Sequence, residues 1–349
     1  MSGVRERSRL HELSSMSITR HSATLIAAAA LSAGSITAET PLSPIHLQRY
    51  CMGTMIDMVV YEGSKAEGER AVKAAMAEIV RLDQVMSHFK PDSDLSRLVR
   101  DARHRTVAVE PTLYEVIQHS LAASRISGGR FDVTIAPLLK MWRRAYDEGR
   151  RPSAAEIVAA RQCVGFAKIA TRAPNYISFS SDCLELDLGG IGKGYAVDRA
   201  MGVLKSAGVQ RALINAGGSS IAAIGSPPGK DGWPVSVGPD GAGPTLLLRD
   251  ASISTSQQTE TPHLFGARVP GEIIDPAAAA PAETTASVRV VAPSGTWSDA
   301  LSTALILMTK EEATRMLARI PDVAAMWMSA EGRLQGTYRE SLLRFAQSP

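Results

Sequence analysis

DLGGIGKGYAVD, from Asp187 to Asp198, is the stretch on which the reading of this chain turns. Upstream of it Leu184, Leu186 and Leu188 alternate with Cys183, Glu185 and Asp187, the pattern of a strand. Four glycines then fall within six residues (Gly189, Gly190, Gly192, Gly194) around Lys193. Beyond Tyr195, Val197, Met201 and Leu204 keep near-helical spacing and Gly208 marks a stop. Glycine lets backbone approach a ligand because no Cβ intervenes. A helix N-terminus behind it presents unpaired N–H groups and a positive dipole end, which suits phosphate. Strand, glycine turn with one lysine, then helix therefore predicts a diphosphate cradle. The pattern is neither a P-loop, since no Ser or Thr follows Lys193, nor a complete G-x-G-x-x-G. On spacing alone, a tight strand-to-helix turn with a solvent-facing lysine serves equally well.

Downstream, RALINAGGSSIAAIG (Arg211 to Gly225) reads as strand, glycine turn, strand, and Trp233 to Val237 as a further strand. Leu246 to Leu248 and Ala251 to Ser254 flank a turn at Arg249-Asp250, and Ser254-Thr255-Ser256 opens a polar segment running to His263. Ala277 to Ala282 carries little signal, whereas Val288 to Val291 reads as a buried strand. Thr296 to Met308 is an amphipathic helix on which Asp299 and Thr303, four apart, share one face. Two oxygen donors on one helical turn suit a hard cation such as Mg²⁺. A capping aspartate followed by a back-bonding threonine would leave the same trace.

Upstream, MIDMVVY (Met55 to Tyr61) is a strand, and Ser64 with Glu67 a capping box opening a helix through Val72, Met76, Ile79 and Val85. Pro111 opens a second helix that Gly128-Gly129 ends. In GGRFDVTIAPLLKMW, Val133 and Ile135 predict a short strand stopped by Pro137, with a polar loop from Arg143 to Pro152. Ser153 caps a helix to Val164.

The first 38 residues read as an address. Arg20-His21, an apolar run from Ala23 to Ala33 and small residues to Ala38 follow the order of an export signal. The run is too short to span a bilayer. Ser17-x-x-Arg20-His21 resembles a twin-arginine signal with its second arginine changed, so the Tat and Sec routes both stay open, and residues 1–15 fit an unused upstream start. Residues 39–349 form the domain proper, in a periplasmic setting. A net charge of +3 and the lack of basic runs with interleaved aromatics argue against nucleic acid. The 45% hydrophobic fraction supports a substantial core. Cys51, Cys163 and Cys183 show no metal-binding spacing and permit one disulfide at most; Cys183, on its strand pattern, is expected as buried filling.

Taken in order, MGT (Met52 to Thr54), MSHFKPDSDLSRL (Met86 to Leu98), GGRFDVTIAPLLKMW, DLGGIGKGYAVD, INAGGSSIAAIG, STS (Ser254 to Ser256), IIDP (Ile273 to Pro276) and SDALSTALILM (Ser298 to Met308) resemble the ApbE-type FAD:protein FMN transferases. The resemblance runs from about Cys51 to about Ile320. It implies an α+β fold of mixed sheets and flanking helices, with an FAD groove between two sub-lobes. It implies Mg²⁺-dependent transfer of FMN from FAD to a Ser or Thr hydroxyl of an exported flavoprotein, with AMP released. Met52, Phe89, Arg130, Phe131, Asp132, Asp187, Lys193 and Ile273 fall where such enzymes contact FAD. Gly190, through its carbonyl, and Asp299, Ser302 and Thr303 fall on the Mg²⁺ site. Lys193 and the glycine-turn N–H groups could stabilise charge developing on the phosphate.

The chain departs from that family at one sensitive place. Glu272 stands where a histidine usually precedes IIDP, Gln257-Gln258-Thr259 follow Ser256, and Ala277-Ala278 replace a Thr-Gly. Glu272 could serve as general base if burial raises its pKa, or His263 could fold back into that role. If neither does, a flavin-buffering protein that binds FAD with weak hydrolysis or none is the alternative. A redox flavoprotein is disfavoured, since nothing suggests a nicotinamide site.

Overall fold

The computed structural model describes residues 42–238, 243–258, 261–262, 268–269, 273–284 and 286–346. In chain order the elements are β1 (Pro44–Cys51), β2 (Thr54–Tyr61), α1 (Lys65–Met86), α2 (Asp94–Asp101), β3 (Val107–Ala108), α3 (Pro111–Ile126), α4 (Ala136–Asp147) and α5 (Ala154–Gln162). There follow β4 (Ile169–Arg172), β5 (Tyr176–Phe179), α6 (Gly192–Ser206), β6 (Ala212–Ala216), β7 (Ser220–Ile224), β8 (Trp233–Ser236), β9 (Thr245–Leu248) and β10 (Ser252–Gln257). The chain continues through β11 (Thr261–Pro262), β12 (Arg268–Val269), β13 (Ile274–Asp275), β14 (Ala280–Pro281), β15 (Ser287–Ala292), α7 (Gly295–Leu305), α8 (Lys310–Leu317), β16 (Ala324–Met328) and β17 (Leu334–Tyr338).

One eight-stranded sheet, in the order β1-β2-β6-β7-β10-β15-β16-β17, organises the molecule, and every neighbouring pair in it is antiparallel. Both faces of its central strands are covered: every residue of β7, β15 and β16 is buried, the polar Ser220, Ser287 and Arg289 included. On one face Met58, Val60 and Ile214 pack against Val72, Met76 and Ile79 of α1 and Val197, Met201 and Leu204 of α6. Further along that sheet Val288 and Val290 meet Leu301 and Leu305 of α7 and Met316 and Leu317 of α8. The β8–β9 hairpin covers Ile221, Ile253 and Val291 with Trp233, Val235 and Leu246. The architecture is the α+β one that the sequence predicts.

Several local expectations hold and several are corrected. Ser64 caps α1 through the Glu67 N–H, and Glu110 caps α3 ahead of Pro111. Gly208, just past the end of α6, has φ +85°. Residues 184–188 bury Leu184, Leu186 and Leu188 as expected, yet they pair with no strand; the Asp187 N–H donates instead to the Val133 carbonyl at 2.8 Å. No strand forms at Val133 to Ile135 either. Asp132 draws that segment into a turn by accepting from the Thr134 N–H and hydroxyl, and Pro137 sits in the first turn of α4, where its missing N–H costs nothing. Helix α4 then continues through Asp147, into the predicted polar loop, as an exposed amphipathic helix. The polar segment that Ser254 to Ser256 open begins inside the interior strand β10. Cys183 is exposed and disulfide-bonded to Cys163, and Cys51 is the buried free thiol.

Candidate active site

A cleft of about 630 Å³ opens where the tip of the β1–β2 hairpin, the turn after α3, the glycine turn before α6, the end of β10 and the start of β13 converge. Met52, Phe89, Arg130, Phe131, Asp132, Asp187, Lys193 and Ile273 all line it, as do Gly190, Asp299 and Thr303. Residues 247 positions apart in sequence, from Met52 to Asp299, thus face one cavity. Ser302 does not line it. Its hydroxyl is buried behind the wall, donating to the Asp299 carbonyl at 2.9 Å and meeting Ser256 Oγ at 2.8 Å. Glu272 and His263 lie outside the described residues.

Each wall is fastened by side chains of its own. The glycine turn is held by Asp187, whose Oδ1 accepts the Gly189 N–H at 2.6 Å. Its Oδ2 lies 3.9 Å from His88 Nδ1, and the His88 ring leans on Phe89, which is 75% exposed at the rim. Lys193, in the first turn of α6, extends into the cleft with Nζ 3.5 Å from the Gly189 carbonyl. Arg130 donates to Asp275 Oδ2 at 3.0 Å and Glu312 Oε1 at 3.3 Å, tying the IIDP turn to α8. Asp132 has both oxygens engaged, one by Thr134 and the other by the Phe166 N–H at 3.0 Å, so its carboxylate shapes the wall. Burial pushes that carboxyl above its usual range even so.

The cation question centres on Asp299. It is 4% exposed, and its Oδ2 accepts the Gly194 N–H at 2.9 Å. Burial raises its pKa, while Lys193 and the Gly194 N–H pull the other way. Beside it Ser220 Oγ is buried without a hydrogen-bond partner of good geometry, a polar group left over in an otherwise satisfied wall. A Cβ on Gly190 would stand 3.0 Å from Thr303 Oγ1, so the turn lies close against α7. Among the described residues no three His, Cys, Asp or Glu side chains gather as a metal cage. One carboxylate, hydroxyls and a carbonyl fit a hard cation that keeps waters and shares substrate oxygens. Asp299, Thr303 and Gly190 could hold it.

Several residues of the cleft carry no signal in the sequence. Ser256 lines the cleft and links Ser302 to Thr303, and His88 and Ser219 also face the cavity. Both serines sit in quoted motifs, but only the folded sheet shows which residues of a strand end face the cavity. Gln258, in the altered segment after Ser256, holds Ile273 from both sides: Oε1 accepts its N–H and Nε2 donates to its carbonyl, each at 3.1 Å.

Fold and cleft together define a flavin-transferase type of architecture, and comparison with known proteins agrees. The family model described as the ApbE family matches residues 52–327. The protein called FAD:protein FMN transferase in Treponema pallidum is 29% identical over 313 residues, covering 82% of this chain and 84% of the relative. Its counterpart of the same name in Klebsiella pneumoniae is 26% identical over 319 residues, covering 86% and 90%. The solved flavinyl transferase ApbE of Pseudomonas stutzeri, in its apo form, superposes with a TM-score of 0.73 at 26% identity, covering 86% of this chain and 96% of that one. This chain belongs to the ApbE family.

Proposed function

We propose that this protein is an exported FAD:protein FMN transferase that moves FMN from FAD to a Ser or Thr hydroxyl of a partner flavoprotein and releases AMP. The observation carrying this reading is the convergence of the glycine turn, Lys193, Asp299 and Thr303 on one cleft. Relatives bearing that enzyme name along most of their length support it.

In the reaction, the acceptor oxygen forms a bond to the FMN phosphorus while the bond from that phosphorus to the AMP phosphate oxygen breaks. The acceptor proton passes to a base, and AMP leaves with the electron pair of the broken bond. Phosphoryl transfer depends on positioning and charge stabilisation more than on covalent help. Lys193 stabilises the phosphate oxygens, whereas the Gly192 and Gly194 N–H groups at the start of α6 are already given to the Leu188 carbonyl and to Asp299. A Mg²⁺ ion supplies charge neutralisation at the diphosphate when bound. Glu272 is the candidate for the proton.

Export is part of the reading. The apolar run at Ala23 to Ala33 motivates it, and the Cys163–Cys183 disulfide supports an oxidising compartment. Processing near Ala38, read from the N-terminus of protein recovered from the periplasm, tests it; intact chain recovered only from the cytoplasm refutes it.

The transferase claim is tested by mixing purified protein, FAD, Mg²⁺ and a flavinylation-substrate protein. A mass gain equal to FMN on the acceptor is expected. Its absence, where a relative succeeds, removes the claim. Glu272 in place of histidine favours a second reading, FAD buffering, which predicts tight FAD binding without AMP release; steady AMP production excludes it.

A further inference from the structure

Helices α6 and α7 run against each other along residues spaced four apart. A Cβ on Gly194 would stand 2.0 Å from the Gly295 carbonyl oxygen and 2.7 Å from Asp299 Cβ, and one on Gly295 would stand 2.7 Å from the Gly194 carbonyl oxygen. The two backbones touch there. On the cleft side of that contact Gly190 meets Thr303. On the far side stands Asp198, whose carboxylate is engaged by α7 alone among its described partners. Its Oδ1 accepts the Gly295 N–H at 2.6 Å. Its Oδ2 accepts the Ser294 hydroxyl at 2.7 Å, the Thr296 N–H at 2.8 Å and the Thr296 hydroxyl at 2.6 Å. Asp198 does not line the cleft.

We infer that Asp198 is a positioning residue for the cation site: it latches the N-terminus of α7 to α6 and so fixes Asp299 and Thr303 against the glycine turn. The inference rests on the cation reading proposed above. Three contacts in register (Gly190 with Thr303, Gly194 with Gly295 and Asp299, Asp198 with Ser294 to Thr296) set how far α7 can slide along α6. The first two are contacts of shape and a single N–H bond. The third supplies four charge-assisted hydrogen bonds and a negative charge at the positive end of α7. Without it, the donors on both sides of the cation stay in the protein but lose their common register. Groups that hold metal ligands in place typically change metal affinity by about 10- to 100-fold when removed.

The test is direct Mn²⁺ binding, followed by electron paramagnetic resonance with FAD present, on the purified protein and on Asp198→Ala and Asp198→Asn. FAD binding without added cation is measured in parallel by flavin fluorescence. For Asp198→Ala a rise in the Mn²⁺ dissociation constant of about 10- to 100-fold is expected. FAD affinity without cation should stay within about threefold, and Asp198→Asn, which keeps one acceptor oxygen, should fall between. Should Asp198→Ala fail to fold, Thr296→Val removes one of the facing donors and should weaken Mn²⁺ binding in the same selective way. Unchanged Mn²⁺ affinity in a folded variant overturns the inference, and so does an equal loss of FAD and Mn²⁺ binding, which would make Asp198 a fold residue only. If the unaltered protein itself binds no Mn²⁺, the cation reading fails and this inference falls with it.

Discussion

Gln258 grips the backbone of Ile273 as a neighbouring strand would, accepting its N–H and donating to its carbonyl. The same amide also donates to the Ala282 carbonyl at 3.3 Å, so one buried side chain holds both ends of the β13–β14 hairpin at the cleft. Gln258→Ala should leave those backbone groups short of partners, costing about 1–3 kcal/mol. Denaturant unfolding would show the loss, and FAD affinity should drop with it. Unaltered stability and affinity would mean that the hairpin is held well enough without Gln258, by Arg130 on Asp275, by Trp142 on the Ala279 carbonyl and by packing on Leu138.

Asp299 is the only acidic side chain that lines the cleft from α7. Asp299→Ala should reduce Mg²⁺-dependent FAD turnover to background; because it also strips the Gly194 N–H of its acceptor, Asp299→Asn, which keeps one oxygen for that bond, is run beside it as the control for folding. AMP release followed by chromatography is the readout. Turnover that survives would place the ion elsewhere.

Gly194→Ala asks for space that is absent, with backbone oxygen 2.0 Å from the new Cβ. Forcing α6 and α7 apart should cost about 3 kcal/mol. Thermal unfolding should register a clear loss, whereas Gly202→Ala on the same helix, where nothing lies within 4 Å, should gain slightly from helix propensity. Equal effects of the two substitutions would contradict the packing described.

Acid should loosen α5 early. Glu156 accepts from Ser153 and from Arg150, and the Arg150 guanidinium holds its carboxyl down to about 2. A depressed folded-state pKa means stability present above about 4.5 and lost as pH falls from there toward about 2. Amide protection across Ala154 to Gln162, the exchange rate taken relative to its intrinsic rate at each pH, should fall over that interval, and Glu156→Gln should remove that fall. Protection that stays constant between pH 5 and 2 would deny the contribution.

At the position before IIDP, Glu272→His should raise transfer to acceptor protein by about 10²-fold if that position supplies the base. Rates at saturating FAD and acceptor give the comparison. No gain would mean that proton transfer is handled elsewhere or does not limit the rate.

What the sequence made legible is local in kind. Asp299 and Thr303 share a face because the helix period alone puts them there, and the glycine turn announces itself by composition. Asp198 sits inside the most telling motif of the chain, yet its role depends on Ser294 to Thr296, nearly a hundred residues on, which no spacing rule connects to it. Leu184 to Leu188 alternate like a strand because one side faces the core, but alternation reports burial and not a hydrogen-bonded neighbour. Pro137 is ambiguous for a similar reason: a residue without an N–H can close an extended segment or open a helix, and here it opens one. The pairing of Cys163 with Cys183 follows from α5 folding back toward the segment before Leu184, a tertiary fact.

Strand β2 lies between β1, its immediate predecessor, and β6, which the ribosome delivers only after every helix from α1 to α6. Until β6 arrives, the first hairpin offers an open edge with an apolar face, the kind of surface that recruits other chains. Assembly of this enzyme is therefore gated from its C-terminal half, and a chain cut short before Ala212 would be left sticky and incomplete, with its cleft missing a wall.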